Sequence, residues 1–159
     1  MRWNLILLAA GYSRRFGGRK LLAEINGVPL YRYSIEKMKK LSQNLDSAHI
    51  LVVTSYPEIE DFCRKSGFTV LKNEGGENTG MASSIHKAVE YLERTDRVLE
   101  SRESFDVFFT ADQPGLDETE AELFLRQYAL QKKKIGTMEC EAVWRSPNVF
   151  DACYRKELL

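Results

Sequence analysis

Residues 8–20 read LAAGYSRRFGGRK and follow an apolar run, Trp3–Leu8, that is typical of a buried strand. Small residues directly after a buried strand let the backbone approach a ligand closely. Unpaired backbone N–H groups in such a loop form an anion-binding concavity, and its arginines and closing lysine supply positive charge where phosphates would lie. The pattern predicts a phosphate-binding loop. A basic surface loop after an edge strand would share these features.

The loop carries neither of two common nucleotide-binding signatures. It has no GxGxxG, the pattern of dinucleotide-binding folds. Its closing lysine, Lys20, is followed by Leu21 and not by the Ser or Thr with which a Walker A loop holds magnesium. The loop therefore indicates a different family of nucleotide-using proteins.

Composition bounds the class of protein. The 159 residues predict one domain, and 43% hydrophobic with 29% charged residues suits a globular fold with a core. Lys plus Arg number 23 and Asp plus Glu number 23, a net charge of 23 − 23 = 0, which favours neither nucleic acid nor a membrane as partner. No apolar run approaches the ~20 residues of a membrane span, and the N-terminus lacks a signal-peptide pattern, so we expect a cytoplasmic protein.

Cysteine and histidine positions suggest no metal or redox site. Cys63, Cys140 and Cys153 are far apart and form no CxxC, so we expect reduced thiols. His49, just before an apolar strand, and His86, in a helix, are interpreted as structural residues.

Hydrophobic periodicity alternates strands with helices along the chain. It predicts strands Trp3–Leu8, Ile50–Val53, Phe68–Leu71 and Phe105–Thr110, and helices that begin near Pro29, span Glu58–Lys65, follow Gly80 with Met81 on the apolar face, and span Glu118–Leu130. It further predicts a surface linker at Arg94–Ser104, a strand pair within Ile135–Val149 and a helix starting in Asp151–Leu159. Such alternation is typical of an α/β fold with a mostly parallel sheet and helices on its faces.

Two further polar segments follow predicted strands. The loop from Asn73 leads into a helix whose first turn holds Ser83 and Ser84, where hydroxyls and free N–H groups can receive an anion or cap the helix. For Ser83 alone we favour capping. Asp112 follows the fourth strand, and ligands of open α/β sheets bind at the carboxyl ends of strands. Asp112 is thus a candidate Mg²⁺ ligand, or else a turn former before Pro114.

Four segments together resemble the MobA-like nucleotidyltransferases. LAAGYSRRFGGRKLL is similar to the pattern LAAGxSxRxGxxKLL of the molybdenum cofactor cytidylyltransferases, and three more stretches agree in order and spacing: Gly27–Leu30, Asn73 with Gly80–Ile85, and Ala111–Pro114. The resemblance covers residues 3 to about 150. It implies a three-layer, Rossmann-like nucleotidyltransferase fold.

The resemblance implies a Mg²⁺-dependent enzyme that moves CMP from CTP, or another nucleoside triphosphate, to the phosphate of the molybdenum cofactor. Arg15, Lys20 and Asp112 match its catalytic positions, with Asp112 on the metal. The nucleotide-binding positions it implies are Leu8, Ala9, Ala10, Gly11, Ser13, Arg15, Lys20, Asn73, Gly80, Ser83 and Ser84. Within the family, LAAG accompanies cytidylyl transfer and LAGG guanylyl transfer, so the methyl group of Ala10 is hypothesised to favour a pyrimidine.

The chain also departs from the family pattern. Relatives have Gly-His-Pro where this chain has Arg145-Ser146-Pro147, and they continue beyond the P-x-x-F segment, here Pro147–Phe150, to a loop with a second metal carboxylate. The sequence reaches Leu159 before such a loop, so we expect one MobA-like domain, residues 1–159, without that end of the family domain.

Two other functions fit the same residues. One is a sugar-1-phosphate nucleotidyltransferase, although Lys20 follows Arg19 and not the proline usual in those relatives. The other is a non-catalytic maturation factor that binds nucleotide or cofactor and delivers it to a molybdenum hydroxylase.

Overall fold

The computed structural model describes residues 1–11, 17–74, 80–96, 103–140 and 142–159. Its strands are β1 Arg2–Ala9, β2 Glu24–Ile25, β3 Val28–Pro29, β4 Ala48–Thr54, β5 Thr69–Lys72, β6 Ser104–Thr110, β7 Ile135–Cys140 and β8 Val143–Asp151. Its α-helices are α1 Leu30–Asn44, α2 Pro57–Lys65, α3 Met81–Asp96, α4 Glu118–Gln131 and α5 Arg155–Leu158.

Six strands form one sheet in the order β5-β4-β1-β6-β8-β7. Strand β1 pairs in parallel with β4 on one side and β6 on the other, and β4 pairs in parallel with β5. Strand β8 runs antiparallel to both β6 and β7. The predicted α/β fold with a mostly parallel sheet is confirmed.

Alternate residues of β1 serve two cores, because successive strand side chains point to opposite faces. Trp3, Leu5 and Leu7 pack with apolar residues of α1, α2 and α4. Ile6 and Leu8 pack on the other face with apolar residues of α3 and with Leu158 of α5. Helices therefore cover both sides of the sheet, which gives the three layers that were predicted.

Some boundaries differ from the sequence-based expectation. Helix α3 extends to Asp96, so residues 94–96 are helical and not linker, while residues 97–102 lie outside the described ranges. Met81, predicted on the apolar face, is the first residue of α3 and is 58% exposed, so that prediction is wrong. The Asn26-Gly27 turn is confirmed, and it joins two-residue strands, β2 and β3, that are too short for hydrophobic periodicity to predict.

Among the described cysteine and histidine side chains, Cys63 is buried and His49 is half-buried, whereas Cys153 and His86 are exposed. Cys63 is buried, and burial raises the pKa of its thiol to about 12, whereas Cys153 is exposed. His49 lies within β4 and not before it; its Nε2 is 2.9 Å from Thr69 Oγ1, and burial lowers its pKa. His86 is in helix α3, as predicted, with an exposed side chain. No helix among the described residues is long and apolar enough to cross a membrane.

A buried ionic network ties the C-terminal helix to the middle of the sheet. Arg155 donates to both carboxylate oxygens of Asp106, at 2.6 and 2.8 Å, and to Asp96 at 2.6 Å. The neighbouring strand contributes Asn4, whose side-chain amide donates to Asp106 at 2.8 Å. Burial by itself would lower the pKa of Arg155, but the hydrogen bonds and charges of Asp106 and Asp96 outweigh it and raise that pKa. The network joins β1, β6, α3 and α5.

Replacing Arg155 with Met should destabilise the fold by about 3–5 kcal/mol, because it leaves the buried Asp106 carboxylate without its cation. Urea unfolding of the two proteins measures the difference. The neighbouring exposed substitution Lys156→Met is the matched control and should change stability by less than about 0.5 kcal/mol. Equal effects of the two substitutions would show that the network contributes no stability.

Candidate active site at the carboxyl ends of β1 and β6

Four parallel strands end at one edge of the sheet, and most candidate residues follow them. The chain leaves β1 toward β4 on one side, while β6 lies on the other, so the strand order reverses between β1 and β6. Ligands of open α/β sheets bind at such a reversal, beyond the carboxyl ends of the strands. The amide of Ala111, just after β6, donates to the Leu8 carbonyl of β1 at 3.2 Å and fixes the two ends side by side.

Lys20 and Asp112 meet at this point. Lys20 Nζ lies 2.9 Å from Asp112 Oδ2, although the two residues are 92 positions apart. Lys20 opens a short 3₁₀ helix, Lys20–Leu22, whose Leu21 is buried and anchors it to the core. The preceding Gly17 and Gly18 have φ of 77° and 122°, a region that disfavours side chains. Residues 17–20 therefore lead back to the sheet edge, where Lys20 meets the carboxylate of Asp112, which follows β6.

Arg19 points to a different partner. Its guanidinium forms an ion pair with Glu58, in the first turn of α2. The pKa of Glu58 is lowered, first by its own backbone amide and then by the Arg19 hydrogen bond. The end of the loop is thus attached to α2 by Arg19 and to β6 by Lys20.

Asn73, Ser83 and Ser84 form a second cluster at the same edge. The Asn73 side chain donates to Ser84 Oγ at 3.0 Å and accepts from Ser83 Oγ at 3.4 Å, and the backbone N–H of Asn73 donates to the Thr54 carbonyl at 2.8 Å. Asn73 and Ser84 are each 4% exposed. The Ser83 hydroxyl contacts Asn73, and its predicted capping of the helix stays a prediction, because residues 75–79 lie outside the described residues. This cluster fixes the start of α3 to the end of β5.

Hydroxyl groups at the end of β4 contact the end of β1, and sequence reasoning did not single them out. Thr54, Ser55 and Tyr56 donate to successive carbonyls of the small-residue segment that follows Leu8. The sequence shows three successive hydroxyl side chains at the end of a strand. Only the pairing of β4 with β1 shows which carbonyls they contact.

The structure brings most of the predicted site residues to one edge of the sheet. Those on the described part of the chain are Leu8, Ala9, Ala10, Gly11, Lys20, Asn73, Gly80, Ser83, Ser84 and Asp112. Ser13 and Arg15 lie outside the described residues, so their predicted phosphate contacts stay predictions. A cation and a carboxylate at the reversal of strand order in a mostly parallel α/β sheet form an arrangement that can bind a charged ligand.

Comparison with known sequences places the chain in a family. The family model for the MobA-like NTP transferase domain matches residues 5–159, and the chain belongs to this family. A probable molybdenum cofactor guanylyltransferase of Thermococcus sibiricus is 42% identical over 69 residues, which are 42% of this chain and 32% of that relative. A 3-deoxy-manno-octulosonate cytidylyltransferase of Wigglesworthia glossinidia brevipalpis is 27% identical over 112 residues, 70% of this chain and 44% of the relative. The matched part of the chain thus covers less than half of the length of each of these relatives.

Comparison of folds agrees. The crystal structure of Rv0371c from Mycobacterium tuberculosis H37Rv, in complex with manganese, superposes with a TM-score of 0.73, covering 99% of this chain and 75% of that one. Sequence identity is 15%, so the likeness concerns the fold alone.

The Lys20–Asp112 ion pair should contribute little to stability. The two side chains are 35% and 44% exposed, and exposed pairs contribute about 0–1 kcal/mol. Lys20→Met and Asp112→Asn should therefore each unfold within about 1 kcal/mol of the wild type in urea. A larger loss would mean that the pair is a structural element of the fold, and that neither variant reports cleanly on function.

Proposed function

We propose that this chain is a nucleotidyltransferase that moves a nucleoside monophosphate from a nucleoside triphosphate to the phosphate of the molybdenum cofactor. An oxygen of the acceptor phosphate attacks the α-phosphorus and forms the new P–O bond. The bond between the α-phosphorus and the bridging oxygen breaks, and pyrophosphate leaves with that electron pair. Such a reaction asks the protein mainly for positioning and charge stabilisation.

The observation that carries the proposal is the meeting of Lys20 and Asp112 at the reversal of strand order. A nucleoside triphosphate needs a cation for its phosphates and a carboxylate for their metal, and both groups stand within 2.9 Å of each other. Lys20 and the turn that contains Asp112 both lie at the carboxyl ends of the parallel strands, the edge where α/β folds bind ligands. The curated relatives named as guanylyl- and cytidylyltransferases support the same reaction class.

Asp112 is the residue proposed to hold Mg²⁺. No group of three or more acidic, histidine or cysteine side chains suited to a metal occurs among the described residues. A single carboxylate is nevertheless a normal Mg²⁺ donor, because this ion is often held by one or two carboxylates together with substrate phosphates and water. The Asp112 carboxylate is partly exposed and already binds one cation, the Lys20 ammonium, through one of its oxygens. It is therefore accessible to a metal ion.

The chain's own residues would divide the remaining work. When bound at Asp112, Mg²⁺ would neutralise charge on the triphosphate. Lys20 would leave Asp112 for the phosphates, and backbone N–H groups of the segment after Leu8 would bind acceptor groups of the nucleotide. Arg15 and Ser13 are proposed to contact phosphate oxygens. The cluster of Asn73 with its two serines would border the base or ribose.

Cytidylyl specificity is the finer part of the proposal. Ala10 directly follows β1 and is 9% exposed. Its methyl group would narrow a base pocket there and favour a pyrimidine over a purine. The Thermococcus sibiricus relative is named a guanylyltransferase, which favours GTP as the substrate. The choice between CTP and GTP is therefore tested by experiment.

Asp112→Asn should abolish transfer. The substitution keeps the shape and removes the charge that holds the metal, and a metal's contribution of several kcal/mol corresponds to a loss of about 100-fold or more in rate. The measurement is the formation of labelled dinucleotide product from radiolabelled CTP, MgCl₂ and molybdenum cofactor. Asp46→Asn, an exposed aspartate in the α1–β4 turn at the opposite edge, is the matched control. Turnover by Asp112→Asn at the rate of this control would refute the assignment.

Ala10→Gly should weaken the preference for CTP over GTP by about 10-fold, the discrimination that one methyl group commonly provides. Competition between labelled CTP and GTP in the same assay measures the ratio. Ala142→Gly in the β7–β8 turn, where φ is 60°, is the control and should leave the ratio unchanged. A wild type that prefers GTP, or an unchanged ratio in Ala10→Gly, contradicts the steric explanation.

The acceptor is tested separately. We expect nucleotide transfer to molybdenum cofactor and none to a sugar 1-phosphate in parallel reactions of the wild type. Transfer to the sugar phosphate would favour the sugar nucleotidyltransferase. Nucleotide binding without transfer to either acceptor would favour a maturation factor serving a molybdenum hydroxylase.

A further inference from the structure

Three successive side chains at the end of β4 hold three successive carbonyls at the end of β1. Thr54 Oγ1 donates to the Ala9 carbonyl at 3.0 Å, Ser55 Oγ to the Ala10 carbonyl at 3.4 Å, and the Tyr56 hydroxyl to the Gly11 carbonyl at 3.0 Å. We call Thr54, Ser55 and Tyr56 the hydroxyl clamp.

The clamp breaks the alternation of a strand. Along an extended strand, successive carbonyls point to opposite neighbours. The Leu8 carbonyl accepts from Ala111 on the β6 side, and the Ala9 carbonyl accepts from Thr54 on the β4 side. The carbonyls of Ala10 and Gly11 then stay on the β4 side instead of alternating.

This arrangement fixes the direction of backbone donors. In a trans peptide unit the C=O of one residue and the N–H of the next point in opposite directions. Holding the carbonyls of Ala9 and Ala10 toward β4 therefore turns the N–H groups of Ala10 and Gly11 away from it, to the side on which Asp112 follows the end of β6. A Cβ built on Gly11 would meet no atom of the described residues within 4 Å.

The clamp residues are themselves rigidly held. Thr54 is 1% exposed and Tyr56 is 6% exposed. The Thr54 hydroxyl also accepts from the backbone N–H of Tyr56 at 3.1 Å, so it is held by two hydrogen bonds. The Thr54 carbonyl accepts from the Asn73 amide at 2.8 Å, which attaches the clamp to the end of β5. Donors supported in this way are pre-organised before a ligand arrives.

We infer that Thr54, Ser55 and Tyr56 are positioning residues for the nucleoside triphosphate: they aim the N–H groups of Ala10 and Gly11 at acceptor atoms of the bound nucleotide. The inference rests on the proposed function, since the ligand is the triphosphate of that reaction. None of the three side chains needs to touch the nucleotide. Their effect passes through the backbone of residues 9–11.

Removing one clamp hydroxyl should weaken nucleotide binding more than it changes turnover. For Tyr56→Phe, which keeps the ring, we expect the dissociation constant for CTP, measured by calorimetry with MgCl₂, to rise about 5- to 10-fold, the effect of one misplaced hydrogen bond. The value of kcat should change by less than about 3-fold, because the same bonds serve ground state and transition state. Amide NMR signals of Ala10 and Gly11 should shift less on CTP addition than in the wild type.

A matched tyrosine provides the control. The Tyr33 hydroxyl, on α1, also donates to a backbone carbonyl, that of Ile25 in the β2–β3 hairpin, at 2.7 Å. Tyr33→Phe should leave the CTP dissociation constant and both amide shifts unchanged. At Thr54, the isosteric Thr54→Val should weaken CTP binding and Thr54→Ser, which restores the hydroxyl, should recover it.

The outcomes separate this inference from the reaction itself. If the wild type binds neither CTP nor GTP, the proposed function fails and the inference falls with it. If the wild type binds CTP and Tyr56→Phe, Ser55→Ala and Thr54→Val bind it equally well, the clamp is merely structural and the inference alone is overturned. A loss of melting temperature in these variants without a change in CTP affinity would likewise overturn the inference alone.

Discussion

Parallel pairing of β1 with both β4 and β6 is the constraint on which the rest of the structure depends. It brings the ends of three strands to one edge in fixed register, with Ala9 opposite Thr54 and Leu8 opposite Thr110. The loop that follows β1 then has a carboxylate on one side, at Asp112, and a row of hydroxyl donors on the other. The contacts proposed for the backbone of Ala10 and Gly11 depend on this register, because a slip of one residue would turn each carbonyl and side chain to the opposite direction.

Function and stability occupy different parts of the same strands. Toward their amino ends, Asn4 and Asp106 lie opposite each other and carry the buried network with Arg155. Toward their carboxyl ends, the strands finish in small residues and exposed polar groups, including the Lys20–Asp112 pair. Buried charges whose loss destabilises the fold are thus kept away from the charges that are proposed to exchange partners when a nucleotide binds.

Much of this arrangement was predictable from the sequence. The parts that were not predictable depend on contacts between residues that are distant in the sequence. Alternating strands and helices predict a parallel sheet, and a parallel sheet predicts that the loop ending at Lys20 and the turn at Asp112 share an edge. The hydroxyl clamp depends on side-chain contacts between residues 45 positions apart. The sequence shows that Thr54-Ser55-Tyr56 ends a strand, but it does not show how that strand is aligned with β1. In the sequence, Arg155 is typical of an exposed charged residue in a short helix. Only the fold shows that it contacts Asp106, 49 residues earlier.

A crystal structure with Mn²⁺ and a non-hydrolysable α,β-methylene analogue of CTP tests the central claim most directly. We expect the anomalous signal of manganese between the Asp112 carboxylate and the triphosphate. Lys20 Nζ should have moved from Asp112 to a phosphate oxygen, and the N–H groups of Ala10 and Gly11 should donate to the nucleotide. A triphosphate bound away from residues 8–20, or manganese bound away from Asp112, would contradict the account.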